Sequence, residues 1–164
     1  MIFLFLSEKQ PQTIATPIEP KEDAKALPFH KKKYLMTQTE HKFFDVLKEI
    51  IQDKYIIIPQ VALSRIIETQ NTQQRYGSDS WYSNFNRINK KSVDFVIFDK
   101  EFFTPLLVIE LDDYTHNYYN RKRRDEFLDK ILKTANLNIL HIKTNYNFVE
   151  LKQLILNNLP LCSP

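Results

Sequence analysis

The chain has 164 residues and very little glycine or cysteine: one of each, Gly77 and Cys162. A phosphate-cradling G-x-x-x-x-G-K-[ST] loop needs two glycines and the dinucleotide fingerprint G-x-G-x-x-G needs three, so both are excluded. A G-x-S-x-G nucleophile elbow is excluded on the same ground. One cysteine rules out an internal disulfide, a Cys-rich zinc site and an iron–sulfur cluster. Long apolar runs are also missing. Met1–Leu6 reads MIFLFL and stops at Ser7-Glu8-Lys9. A spanning helix needs about 20 apolar residues, and a signal sequence needs roughly 7–15 after a basic start. Charge of one sign is scarce too. With 23 Lys+Arg against 20 Asp+Glu, the net charge of +3 does not declare a nucleic-acid partner, so the placement of the charges must decide.

The chain is 43% hydrophobic and 13% aromatic, enough to build one ordinary domain with a real core. Residues 7–36 stand apart from it. They hold Pro11, Pro17, Pro20 and Pro28, mixed charges and no apolar period, a composition that buries too little surface to offset ordering entropy. Residues 1–36 therefore read as a tail or linker, closed by the basic run His30–Lys33, and residues 37–164 as the folded domain. The basic run is either a solvated segment or a contact to anionic lipid or nucleic acid.

Thr37-Gln38-Thr39-Glu40 matches the capping box S/T-x-x-E, and Phe43, Phe44, Val46, Leu47, Ile50 and Ile51 follow at helical spacing. This predicts a helix over 37–52. Residues 54–58 are β-branched and short, predicting a strand that ends near Pro59. Residues 62–90 look polar and mixed, with a short helix at 62–68 and no long periodic element. Residues 92–98 and 106–111 are predicted strands joined as a hairpin, the second covered on both faces because it is continuously apolar. A helix over 121–135 ends at Asn136, a usual substitute for glycine in the left-handed position. A fourth strand over 137–143 and an amphipathic helix over 148–158 complete the order α-β-β-β-α-β-α. Helices covering both faces of a small sheet imply a three-layer α/β/α sandwich.

Carboxylates fall where strands should be apolar. Asp94 interrupts the second strand and Glu110 ends the third, although acids are depleted from strands and rarely buried unless paired or metal-bound. Either both face solvent at strand ends, or they meet on adjacent strands, where a divalent cation would remove their repulsion. Hard oxygen donors of this kind suit Mg²⁺, with Mn²⁺ as its substitute. Glu40 lies on the helical stripe of Phe44, Leu47 and Ile51, so it ends the apolar face as well as serving the capping box. His116 follows the third strand in Asp112-Asp113-Tyr114-Thr115-His116, where it is either an exposed loop residue or a proton-transfer group.

Basic residues gather beside these acids. Arg121, Lys122, Arg123 and Arg124 open a helix whose N-terminal dipole opposes cations, so phosphate binding is one reason for them. Arg87, Lys90 and Lys91 precede the strand carrying Asp94. Trp81, Tyr82, Phe85, Tyr118 and Tyr119 lie among these charges, either as core residues or as stacking platforms for bases.

Together these residues carry a resemblance. The string from Phe85 to Val96, then Leu106–Asp113 with His116, resembles domain of unknown function family 2726. Arg124–Leu128 and Pro59-Gln60-Val61 also match its motifs, and the likeness covers about residues 36–145. That family is similar to the PD-(D/E)XK, or restriction-endonuclease-like, nuclease superfamily, and to its very-short-patch-repair branch. The resemblance implies a core of order α-β-β-β-α-β. It implies that Asp94 and Glu110 are metal ligands and that Glu40 is the first-helix glutamate. Asp112 stands where the superfamily has a lysine that helps position water. Repair-type relatives manage without that lysine and use a histidine after the third strand, a place comparable to that of His116. Family members often begin with a hydrophobic anchor, so Met1–Leu6 is expected to be its remnant and to allow membrane association of an otherwise cytoplasmic protein.

The resulting expectation is a metal-dependent phosphodiesterase acting on nucleic acid, DNA ahead of RNA. Glu40, Asp94, Glu110, Asp112 and His116 would do the chemistry. Arg87, Lys90, Lys91, Arg121, Lys122 and Arg124 would hold the backbone. The rival expectation is a nucleic-acid-binding module with the same fold and no catalysis, motivated by Asp112 at the lysine position.

Overall fold

The computed structural model describes residues 27–69, 79–112 and 118–160, with side chains described for all of these except 79–80 and 118–124. The chain divides into two units, Met1–Lys32 and Lys33–Pro164. In the first, residues 27–32 are exposed and belong to no helix or strand. The second holds every described helix and strand. Among the described residues no helix is long and apolar enough to cross a membrane.

Helix α1 spans Gln38–Ile51 and begins as the capping box requires. Glu40 N donates to the Thr37 hydroxyl at 3.2 Å and Thr37 N donates to the Glu40 carboxylate at 2.7 Å. Strand β1 covers Ile56–Ala62, which corrects the expected end near Pro59. The strand lies at the edge of the sheet, where a residue lacking an N–H leaves no interior ladder bond unmade. A 3₁₀ turn at Leu63–Arg65 replaces the short helix expected there. Helix α2, Asp79–Asn89, was not expected. Strands β2 (Ser92–Phe98) and β3 (Pro105–Asp112) form the predicted antiparallel hairpin. Helix α3 (Tyr118–Thr134) crosses to strand β4 (Asn138–Lys143), which pairs parallel to β3. Helix α4, Phe148–Asn157, is capped by Asn147, whose side chain accepts from Val149 N and Glu150 N.

The order is thus α-β-α-β-β-α-β-α, with α2 inserted between the first two strands of the expected series. Among the described residues the result is an α/β domain with four α-helices and a small mixed sheet ordered β1-β2-β3-β4. Two cores lie against this sheet. Phe43, Leu47 and Ile51 of α1 and Leu151 and Ile155 of α4 pack with Phe95, Ile97, Leu107 and Ile109. Leu128 and Leu132 of α3 and Ile88 of α2 pack with Val93, Val96 and Val108. Strand β3 is buried from Leu107 through Glu110, as befits an interior strand with apolar cover on both sides.

Candidate functional site: a polar row across the sheet

The ladder registers line up one residue from each strand. Pro59, Phe95, Ile109 and Leu140 form one row, and Ile58, Val96, Val108 and Ile139 form the next. Both rows are apolar. On the other side of the first row the pattern changes abruptly. Glu110 pairs with His141. Continuing the β2–β3 register by one residue from Phe95↔Ile109 sets Asp94 across from Glu110. Gln60 lies between the pairs Pro59↔Phe95 and Val61↔Val93, so it stands across from Asp94. The row therefore reads Gln60, Asp94, Glu110, His141.

Each member is tied into its surroundings. Gln60 sits at φ 55, a left-handed conformation that costs a non-glycine residue about 1–2 kcal/mol. From there its Nε2 donates to Glu40 Oε1 at 3.3 Å. Glu40 thus serves its own helix cap through one oxygen and meets β1 through the other. Asp94 Oδ2 accepts from the backbone N–H of Leu111 at 2.9 Å, which holds this carboxylate against β3. Glu110 is 7% exposed, the sole buried charged residue among those described.

His141 was missed by sequence reasoning. Its Nε2 lies 3.0 Å from Asp129 Oδ1, and its Nδ1 lies 3.6 Å from Asp112 Oδ1. Partial burial pulls the imidazole toward its neutral form. The hydrogen bond to Asp129 and the charges of Asp112, Asp129 and Asp125 outweigh that, so its pKa lies above its ordinary value. Asp125 and Asp129 are one helical turn apart on α3 and reach toward the same end of β4. The signal that could have found His141 is the parallel pairing of β3 with β4. Once β4 is laid beside β3, the histidine must fall next to Glu110.

The predicted acids are brought together in part. Asp94, Glu110 and Asp112 share the ends of β2 and β3, and Glu40 reaches the row through Gln60. Asp112 is occupied with His141 rather than standing alone at the expected lysine position. His116 lies outside the described residues, as do the side chains of Arg121, Lys122 and Arg124. Arg87 and Lys91 converge on Phe127, a residue of the Arg124–Leu128 motif. Their cationic groups lie 5.0 and 5.2 Å from the Phe127 ring centroid. Lys90 is exposed next to them. Trp81 stacks on Phe85 at 5.0 Å and 8°, while Tyr82 is exposed.

Two hard carboxylate donors on paired strands fit a cation that keeps most of its water, as Mg²⁺ does. They do not fit a cage built wholly of protein, and among the described residues no group of three or more His, Cys, Asp or Glu side chains could hold a metal ion.

Fold and row define a small α/β domain whose mixed sheet carries a line of polar residues beside two acids of the crossover helix. The chain belongs to the family described as "Protein of unknown function (DUF2726)", whose model matches residues 32–159. It is also similar to an "Uncharacterized protein" of Haemophilus influenzae, 26% identical over 133 residues. That match takes in 79% of this chain, which spans 64% of the relative's length. No solved structure matches.

Proposed function

We propose that the chain is a metal-dependent nuclease of restriction-endonuclease-like fold, hydrolysing phosphodiester bonds in DNA, and less readily in RNA. The observation that carries this reading is the buried Glu110 across from Asp94, at the point where two apolar rows of the sheet give way to a polar one. Two carboxylates facing one another on neighbouring strands repel, and a site for a hydrated divalent cation would offset that repulsion. Asp94 and Glu110 would hold Mg²⁺ or Mn²⁺, which when bound supplies charge neutralisation at the phosphate and a more acidic water. Gln60 orients Glu40 at one end of the row, and both are suited to ordering water there. His116 would take or deliver the proton. Arg87, Lys90, Lys91, Arg121, Lys122 and Arg124 would hold the sugar-phosphate backbone, and hydrolysis would then depend mostly on positioning and charge.

The test is nicking of supercoiled, branched, mismatched and single-stranded substrates with Mg²⁺ or Mn²⁺. Activity should appear with metal, vanish with chelator and be lost in Asp94→Ala. Intact substrates under every condition would reject the enzyme reading.

A second reading keeps the nucleic-acid surface without the hydrolysis. It is favoured by Asp112, which stands at the expected lysine position and faces His141. Such a protein would bind nucleic acid with a steep salt dependence. Mn²⁺ calorimetry on the wild type and on Glu110→Ala separates the two readings, since the binding module takes up no metal in either. A tether to anionic membrane through residues 1–36 is a compatible addition, read by vesicle flotation before and after their removal.

A further inference from the structure

A groove of about 330 Å³ lies between α2 and α3, and none of the polar-row residues lines it. Its walls include Ile67, Arg87, Ile88, Phe127, Lys130 and Ile131. Ile88 is buried, and Phe127 and Ile131 are half-buried, so the interior is apolar. The rim is cationic. Arg87 and Lys91 both lie over Phe127, Lys130 stands one turn along the same helix, and Glu68 is the single acid among the lining residues.

An apolar slot with an aromatic wall, two lining cations, Arg87 and Lys130, and a third, Lys91, over that wall matches one ligand chemistry closely: a flat heteroaromatic ring joined to phosphates. The volume is at the small end of the range for ligand sites, about 300–1,000 Å³. It suits one base with its sugar. Chain connectivity adds to the case. The last turn of α2 carries Arg87, Lys90–Lys91 follow directly, and Asp94 lies three residues beyond Lys91. A strand held at Arg87 and Lys91 would therefore run beside the segment that leads into the acidic row.

We infer that this groove accepts a single unpaired nucleobase, with its flanking phosphates on Arg87, Lys91 and Lys130. The substrate class is then nucleic acid that is single-stranded, or locally unpaired at one base, in preference to a continuous duplex. The inference rests on the nucleic-acid reading above and deepens it. Stacking an unpaired base on an aromatic surface is worth a binding difference of roughly 5- to 150-fold.

The test uses the full chain in chelator, so that no cleavage intervenes. Three probes of one sequence are titrated: a single strand carrying 2-aminopurine, the same strand with an abasic site in its place, and the paired duplex. Wild type should bind the base-containing strand about tenfold tighter than the abasic strand, with a change in 2-aminopurine emission. Ala135, one residue past the end of α3, is exposed and also lines the groove, so Ala135→Leu narrows it and should abolish that preference and the emission change. Lys130→Ala should weaken both single strands about equally. Equal affinity of wild type for the base-containing and abasic strands would overturn the inference, as would an undiminished preference in Ala135→Leu. Cleavage with metal is scored separately. A base preference without cleavage leaves the groove standing and rejects the nuclease, and cleavage without a preference does the reverse.

Discussion

His141 shows how single residues are set by neighbours from several elements. Three carboxylates face it, Asp112 from β3 and Asp125 and Asp129 from α3, and together they overcome the desolvation that would keep it neutral. A histidine whose pKa is raised on folding stabilises the folded state fully below its unfolded value of about 6.5, and loses that contribution as pH rises through the higher folded value. Denaturation of wild type and His141→Gln should therefore differ most below about pH 6.5 and converge as pH rises through the higher folded pKa. The difference should be about 1 kcal/mol, low for a charged hydrogen bond because Asp129 is 53% exposed. A gap that grows with pH would contradict the assignment. Gln60 is the opposite kind of residue, with no titration and a strained backbone. Gln60→Gly would relax φ and lose the bond to Glu40, so it should fold at least as well as wild type while lowering any nuclease rate.

At the scale of elements, α3 ends in a left-handed cap at Asn136, with φ 55. Leu137 N donates to Leu132 O and Asn136 N to Lys133 O, the paired bonds of a Schellman motif. Asn136→Ala should cost about 1 kcal/mol, because a Cβ without a compensating polar group is unfavourable there. Asn136→Gly should cost nothing or stabilise slightly. Thermal melts of both variants check this, and equal losses in the two would remove the conformational explanation. This cap was legible in the sequence, as was the one that opens α1, because each depends on a few adjacent residues. Strand β1 was misjudged for a related reason. Pro59 is a local stop signal that an edge position silences, and edge position belongs to the sheet rather than to the segment. Helix α2 was missed although Trp81, Phe85 and Ile88 keep helical spacing, because the polar residues between them dilute the pattern. The polar row was half legible. Asp94 and Glu110 stand out within their strands, whereas Gln60 and His141 acquire meaning only through pairing register.

At the scale of the whole molecule, the two cores leave the sheet apolar along most of its length and polar at one end. That end gathers Asp94, Glu110 and Asp112, and helix α3 adds Asp125 and Asp129. Asp112, Asp125 and Asp129 face His141, whereas Asp94 and Glu110 stand across from one another, and a cation that binds only their folded arrangement would stabilise it by mass action. Millimolar Mg²⁺ or Mn²⁺ should therefore raise the melting temperature of wild type. At a hundredfold excess over Kd the gain is about 2.7 kcal/mol, which for a domain of this size is a shift of several degrees. Asp94→Asn removes one ligand charge and part of the repulsion. It should melt at or above wild type in chelator and gain little from metal. Ca²⁺ serves as a control for general screening, because a merely screened acidic surface responds to any divalent ion and to added monovalent salt. A wild-type melting temperature indifferent to Mg²⁺ and Mn²⁺, or a metal response that survives intact in Asp94→Asn, would show that Asp94 and Glu110 form no cation site and would leave the buried Glu110 as a feature of folding alone.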